Sequence, residues 1–483
     1  MKDKAKTDAT VGADAAAGAV AGTVAGALPN MVAPEIVVPK MPPLPSVERV
    51  VLDNGLPVHL LRNPGQEVVR VSVVWAAGSA VQTAAGLKPF TASATLNLLA
   101  EGSMGSGGGA GLSAHEIAER LDFVGSYYDV TVDRDYAVAT FCCLEKFLEP
   151  TLEVASEILI RPAFPEDEVS LYARKRMERL AVERAKPATK AREMFSAALF
   201  GDAHPYGVSS PESEYLGLRR EDATAFWSRF YGAENCFAVC SLSDDPAQRE
   251  AVSELLGRLP ARSMSTSGDY AMPAPVSDGY RFLPMEGAVQ SAVRIGRVLF
   301  PRHHPDFVGM QVVATILGGY FGSRLVKVLR EQMGYTYGVM AAMVNLRESG
   351  YLAIATEVTA DATADAVERI FAEMGRLKTE LVTEDELDTV RRSMLGDVMR
   401  ILDGPFGIVD VVIENIQIGG ETSGLPGSSG VSSRASDGAS ECKCDYLADF
   451  VRQVETITPG RVMELAQKYL DREAFTVVIV GKE

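Results

Sequence analysis

The chain predicts an α+β fold of two duplicated lobes, each a mostly antiparallel sheet with helices packed on one face. Three observations carry that reading. The order of elements in the first half repeats after mid-chain. Two pairs of segments echo one another across the halves. Between the halves, RSMSTSGDYAMPAPVSD (262–278) has neither helical nor strand period and reads as a linker. At 483 residues the chain exceeds the roughly 100–200 residues of an ordinary domain, so two lobes fit its length.

Taken in order, residues 1–46 form a lead-in. Its Ala/Gly-rich middle is interrupted by Asp3, Asp8 and Asp14, a poor signal-peptide core, and Pro34, Pro39, Pro42, Pro43 and Pro45 favour extended chain. A disordered or loosely helical tail is expected, and with it a cytoplasmic location. The first lobe, 47–261, opens on ERVVLDNGLPVHLLR, two apolar runs around Asn54-Gly55, a strong hairpin signal. A β-branched strand, VVRVSVVW, and a helix over 88–101 follow. The glycine-rich SMGSGGGAGLS is a loop and not a phosphate cradle, because no Lys-Ser/Thr follows its glycines. A helix at 114–124, paired strands at 126–132 and 135–143, and helices at 146–160, 165–186 and 188–200 come next. A helix at 219–231, a strand at 235–242 and a helix at 247–258 close the lobe.

The second lobe, 279–483, repeats this order. Strands are expected at 280–284 and 289–300, helices at 305–317 and 323–333, and strands at 335–344 and 350–358. Helices follow at 361–377, 383–402 and 405–417. A polar insert occupies 419–443, and helices at 445–454 and 459–470 lead to a last strand at 474–481. EKFLEPTLEVASEILIRPAFPEDEVS in the first half matches TADATADAVERIFAEMGRLKTELVTEDELD in the second. Each is an amphipathic helix, a break, and a helix opened by acidic residues, as the helix dipole favours. DATAFWSRFYGAENCFAVCSL and GRVMELAQKYLDREAFTVVIVG each give a helix and then a strand.

Composition excludes several functions. Hydrophobic residues make up 47% of the chain and charged ones 23%, as in a soluble globular protein. A net charge of −17 argues against nucleic acid as a partner, since phosphate binding needs a basic surface. No apolar run reaches the ~18–20 residues of a membrane span. Six cysteines in this length do not make a disulfide scaffold. Cys142 and Cys143 point to opposite faces of a strand. Cys442 and Cys444 lie in a loop with no second Cys or His pair, so ordinary reduced thiols are expected.

The most sharply punctuated stretch is GGYFGSRLVKVLREQMGYTYG, from Gly318 to Gly338. A glycine pair precedes Ser323 in N-cap position. A helix follows with Leu325, Val328 and Leu329 on one side, Gly334 ends it, and a strand is expected from Tyr335. Arg330 and Tyr337 stand at the two ends of this turn. Arg330 lies near a helix C-terminus, where a cation is favoured anyway, and Tyr suits a strand.

The duplicated order, LDNGLPVHL early and SRLVKVLREQMGYTYG late, with the closing T-P-x-x-V-x-x-x-A-x-K-Y-L before an apolar strand and Gly481, resembles the insulinase/pitrilysin-like metallopeptidases, which include the mitochondrial processing peptidases. The resemblance covers about 47–483. It implies half of a clamshell, in which two such chains close around an unfolded peptide. It also implies a zinc motif, His-x-x-Glu-His, on the helix after the first long strand. His at i and i+4 share one helical face and bind the ion, and the Glu activates its water. Counted back from Gly102-Ser103, those positions fall on Ser93, Leu96 and Asn97. Residues 79–114 contain no His. The five His of the chain are His59, His115, His204, His303 and His304, and none is paired at i, i+4. Glu183 matches the family's third ligand but cannot hold zinc alone, and a carboxylate on a helix surface is its plain alternative. No metal is therefore expected in this chain, and zinc is expected in a partner.

The resemblance further implies that an Arg and a Tyr of the non-catalytic half hydrogen-bond substrate near the scissile bond. Arg330 and Tyr337 are in register with that pattern. Gly318-Gly319 and Gly322-Ser323 allow close backbone approach beside the substrate channel, so Gly319 and Ser323 join the candidate substrate-binding set, with simple helix capping as their alternative. The leading expectation is a non-catalytic subunit that pairs with a zinc-bearing chain of the same family as a heterodimer, or with itself as a homodimer, around an unstructured peptide. The second is a peptide-binding or scaffold protein of the same fold with no catalytic role, as in core subunits of respiratory complexes. A self-sufficient peptidase would need metal ligands that the sequence does not offer.

Overall fold

Runs of β-branched residues set the two sheets, and the computed structural model describes residues 46–63, 67–105, 110–261, 274–418, 440–442 and 445–482. The expected tail, most of the linker and most of the polar insert lie outside these residues. The first sheet is built from β1 (Val47–Val51), β2 (Pro57–Arg62), β3 (Val68–Trp75), β4 (Tyr127–Val132), β5 (Ala137–Leu144) and β6 (Cys236–Leu242). Its helices are α1 (Ser79–Ala84), α2 (Thr91–Asn97), α3 (Ala114–Phe123), α4 (Leu148–Ile160), α5 (Glu166–Arg184), α6 (Pro187–Phe200), α7 (Arg220–Phe230) and α8 (Pro246–Gly257). In the second half come β7 (Tyr280–Pro284), β8 (Gln290–Val298), α9 (Phe307–Ala314), β9 (Val339–Asn345) and β10 (Gly350–Thr359). They are followed by α10 (Thr363–Thr379), α11 (Glu384–Leu402), α12 (Pro405–Gln417), β11 (Ser440–Cys442), α13 (Asp445–Thr456), α14 (Pro459–Tyr469) and β12 (Thr476–Gly481).

The duplication is visible in the topology. The first sheet contains the order β2-β6-β3-β5-β4, and the second is β7-β12-β8-β10-β9. In each, one parallel pair (β2 with β6, β7 with β12) is followed by antiparallel neighbours. Each sheet is therefore mixed, with one parallel pair apiece. The Asn54-Gly55 turn forms as the sequence demands: Gly55 takes φ +84°, and Val50 pairs with Val58 across it.

Two features differ from the expected layout. The end of the insert is a strand: β11 pairs with β1, with Val47 opposite Cys442, so the second half returns to the first sheet. The helices also do not all stay with their own sheet. α6, from the first half, packs on β8 and β12, and α12, from the second, packs on β6. The reason is visible in the side chains. Phe195, Ala198 and Leu199 of α6 bury against Val478, with Val298, Tyr351 and Ala353 alongside. A Cβ on Gly296 would lie 2.3 Å from Leu352 O of β10 and 2.5 Å from Phe195 Cζ, so glycine is required by the neighbouring strand and leaves room for the α6 ring. Opposite, buried Arg70 of β3 donates to Phe406 O at 2.8 Å and to Asp410 Oδ1 at 2.6 Å, both on α12. Each half keeps its own apolar core, around Val71, Trp75 and Phe226 in the first and Ile295, Leu329 and Ile370 in the second.

Asp135 ties the halves together near the edge strands. It accepts a hydrogen bond from Tyr206 Oη at 2.6 Å and another from the Arg347 N–H at 2.9 Å, in the β9–β10 turn. Burial pushes its carboxyl up to about 6, against the lowering by those two hydrogen bonds. The native state thus holds this proton to higher pH than the unfolded chain. The stabilisation is complete below the unfolded value and is lost as pH rises through about 6. Asp135 should therefore cost the fold on the order of 2–3 kcal/mol between pH 4 and pH 7. In Asp135→Asn that part of the slope should vanish, read as urea unfolding free energies at the two pH values. An unchanged slope would exclude the group.

Candidate functional site

The Gly318–Gly338 stretch sits where helix, loop and edge strand of the second half meet. α9 continues into a π-helical turn, Thr315–Gly319. Gly318 is required there, since a Cβ would lie 2.6 Å from the Ala341 N of β9. A second helical run begins at Arg324 and is π-helical over Val326–Gln332, with the Met333 N–H bonded to Val328 O at 3.1 Å. π-turns of this kind are rare and recur at functional sites. Ser323 precedes this run, but its buried Oγ has no partner, so it does not cap the helix through its side chain. Gly334 ends the helix at φ +66°.

The strand expected from Tyr335 begins only at Val339. Thr336 is the cause. Its hydroxyl bonds the O of Gly338 at 2.8 Å and accepts the Gly338 N–H at 3.0 Å, and Thr356 of β10 reaches the same carbonyl at 3.0 Å. Pairing with β10 is thereby interrupted, since Tyr335 O already accepts the Thr359 N–H at 3.0 Å, and Tyr337 stands on a pinned bend, 90% exposed. Arg330 is exposed with its guanidinium 4.9 Å from the ring centre of Phe321, itself 68% exposed. Among the described residues Arg330 has no carboxylate partner, and it makes no hydrogen bond to Tyr337. Gly319 is exposed on the π-turn. The structure thus offers an open cation held on an aromatic face and an open phenol on the neighbouring loop. Phe321 was not among the sequence-derived candidates; an aromatic between Gly319 and Gly322 in a loop was the available signal.

The donor set needed for zinc is not present at the corresponding positions of the first half. Ser93, Leu96 and Asn97 lie on α2. The Ser93 hydroxyl donates to Phe90 O at 3.0 Å, Leu96 is buried, and Asn97 Nδ2 donates to Ser93 O at 2.7 Å. Glu183 lies elsewhere on α5, bonded to Arg179 Nε at 2.8 Å with Arg176 at 3.7 Å. The α5 residue that faces Ser93 is Tyr172, whose hydroxyl bonds the Ser93 side chain. On a helix Glu183 is about 16 Å further along. Tyr172 meets Tyr215 edge-on, and Tyr215 stacks on Phe90 with ring centres 3.6 Å apart. Phe90 holds the left-handed φ of 67° to do so. Aromatic packing occupies the space where a metal would need ligands, so zinc does not fit here.

The remaining histidines are accounted for locally. His115 is exposed in the first turn of α3, beside a Ser113–Glu116 capping box. His303 is exposed, and His304 stacks on Phe300 at 3.9 Å and accepts the Asp306 N–H at 3.1 Å. His204 accepts the Tyr206 N–H at 3.0 Å. Burial, then Arg49, pushes His59 down to about 4. Among the described residues no group of three or more His, Cys, Asp or Glu could hold a metal. Cys142, Cys143, Cys236 and Cys240 are free thiols. Burial pushes Cys142 up to about 11 and Cys240 up to about 12, so both are unreactive near neutrality.

Residues 217–394 match the family described as the peptidase M16 inactive domain. Among known proteins, the chain is 24% identical to the uncharacterized zinc protease ML0855 of Mycobacterium leprae, over 59% of this chain and 65% of that protein. It is 21% identical to the uncharacterized zinc protease YmxG of Bacillus subtilis, over 74% of this chain and 85% of that one. Among solved structures, a peptidase M16 inactive domain from Pseudomonas fluorescens superposes with a TM-score of 0.72 at 21% identity, covering 90% of this chain and 98% of that one. A chain of complex III2 from Candida albicans superposes at 0.67 and 14% identity, covering 90% and 95%. At these identities the superpositions show the shared fold.

With Ser93, Leu96, Asn97 and Tyr172 in place of ligands, the purified chain should retain far less than one zinc per molecule after desalting. Elemental analysis reads this directly, and one tightly held zinc per chain would contradict the assignment.

Proposed function

We propose that this chain, whose residues 217–394 match the peptidase M16 inactive-domain family, is a non-catalytic subunit that completes the site of a zinc-bearing partner. The observation that carries this reading is a contrast within one molecule. The first half has packed aromatic rings where zinc ligands would stand, while the second half keeps Arg330 and Tyr337 exposed, with no carboxylate beside Arg330 among the described residues. Arg330 projects from the π-helical run Val326–Gln332 beside the loop that carries Tyr337, so its guanidinium is open to a ligand.

The chemistry follows from the two groups. The Arg330 guanidinium can donate to a peptide carbonyl through two N–H groups at once. The Tyr337 hydroxyl can donate to the oxygen on which charge develops as the carbonyl is attacked. Phe321 holds the guanidinium over its ring face. Zinc in the partner would supply the activated water, and this chain would bind and orient an unstructured peptide. The partner is a zinc-bearing chain of the same family in a heterodimer; a homodimer of this chain belongs to the scaffold reading.

A scaffold role is the second reading, and the likeness to a chain of complex III2 favours it. Substitution separates the two. In a reconstituted pair, Arg330→Ala and Tyr337→Phe should each lower peptide cleavage on the order of 10²-fold while leaving the pair assembled on a sizing column. Full cleavage by the doubly substituted pair would favour the scaffold. Zinc-dependent cleavage by the pure chain would refute both.

A further inference from the structure

We infer that a cavity beside β9 is a side-chain subsite for an extended peptide, one that receives a large apolar residue next to the Arg330–Tyr337 patch. This inference rests on the peptide-binding reading above. The cavity measures about 340 Å³, within the range of about 300–1,000 Å³ for ligand sites. Met340, Met343, Met394, Ile401 and Phe450 give it an apolar, adaptable wall, and thioethers reshape readily around different side chains. Its wall also includes Arg302, which pairs with Glu414 at 3.2 Å and lies 4.5 Å over the Tyr446 ring.

Three features make the occupant a peptide. Met340, Ala341, Ala342 and Met343 all line the cavity, yet successive strand residues face opposite sides of a sheet. A cavity that touches all four must run along the edge of the strand. β9 is the last strand of its sheet and pairs only with β10 among the described residues. Its outer edge therefore offers backbone N–H and C=O groups to an added strand. Secondly, Gln311 Oε1 on α9 is buried against this space with no donor, a feature that favours an incoming N–H. Thirdly, the cavity wall is built from the same stretch of chain that carries the candidate site. Gly319 lies in its wall two residues before Phe321, and Met340, 60% exposed, lies three residues after Tyr337. A peptide lying along β9 would place one side chain in the cavity and its backbone toward the Arg330 and Tyr337 groups.

Two arms test this. In the first, N-acetyl-phenylalaninamide is titrated into the full chain and followed by NMR. Binding in the millimolar range is expected, weakened at least tenfold by Ala342→Trp, which fills the space at a half-buried strand position. Gln311→Leu should weaken the amide severalfold while sparing toluene, which has no donor. Failure of the amide to bind, or binding indifferent to both substitutions, would overturn the subsite. In the second arm, fluorescent unstructured peptides that differ only in a central Phe or Ser are compared. The wild-type chain should prefer Phe by about tenfold, the worth of burying one large apolar side chain incompletely, and Ala342→Trp should abolish the preference. Loss of amide binding with an unchanged peptide preference would also overturn it. Arg330→Ala should weaken both peptides equally and leave the amide untouched. If it weakens neither while the Phe preference persists, the role given to Arg330 fails and the subsite stands.

Discussion

Everything in this molecule depends on the exchange of α6 and α12 between the two sheets. A sheet has two faces, and an uncovered apolar face must find a partner. Here each half covers the second face of the other's sheet. The two contacts use different chemistry. α6 presents Phe195 and Leu199 to an apolar surface hollowed at Gly296, whereas α12 meets Arg70, which lies among Ser72 and Thr140. The apolar contact supplies burial energy. The polar one supplies direction, because Arg70 reaches Phe406 O and Asp410 in one geometry. Removing either helix would expose part of the opposite lobe, so the halves are coupled in folding as well as in position.

That coupling fixes the candidate site. The β9–β10 turn is held by Asp135 of the first half, and β9 is held from behind by Gly318 against Ala341. The loop between them carries Tyr337, and the Thr336–Thr356 pair sets where the strand starts. The exposed groups are thus mounted on rigid elements, which suits residues that must meet a ligand in one geometry. The lack of a carboxylate beside Arg330 among the described residues has the same logic. An internal ion pair would have to be broken before a peptide carbonyl could replace it.

Much of this was legible in the sequence, and the parts that were not share a cause. The Asn54-Gly55 hairpin, the repeated element order and the glycine stop at Gly334 are local signals, each satisfied within a few residues. The late start of β9 depends on Thr356, twenty residues further on, so Thr and Tyr in a β-rich run misled. The helix exchange depends on which face remains uncovered after both sheets form. Glu183 was reached by motif matching along the helix, whereas Tyr172 is the residue that faces Ser93 in space. The β11 pairing joins residues almost 400 positions apart in sequence, beyond any local pattern.

The duplication itself explains how one half came to present an arginine where the other buries a leucine. α3 ends at Gly125 with φ +64°, and the helix that carries Arg330 ends at Gly334 with φ +66°, each leading into the edge strand of its sheet. In α3 the buried residues Ile117 and Leu121 stand eight and four places before the glycine. In the second half Leu325 and Leu329 stand nine and five places before it. The apolar pair has moved by one residue, and a π-helical run accommodates one extra residue in a helix. One residue is about 100° of helical rotation. The place four before the glycine, occupied by Leu121 in the core of the first half, is thereby turned outward in the second, and Arg330 occupies it over Phe321. The π-helical run thus keeps the apolar pair in the core while it turns the next position outward, and the polar patch follows from the backbone rather than from any change of fold.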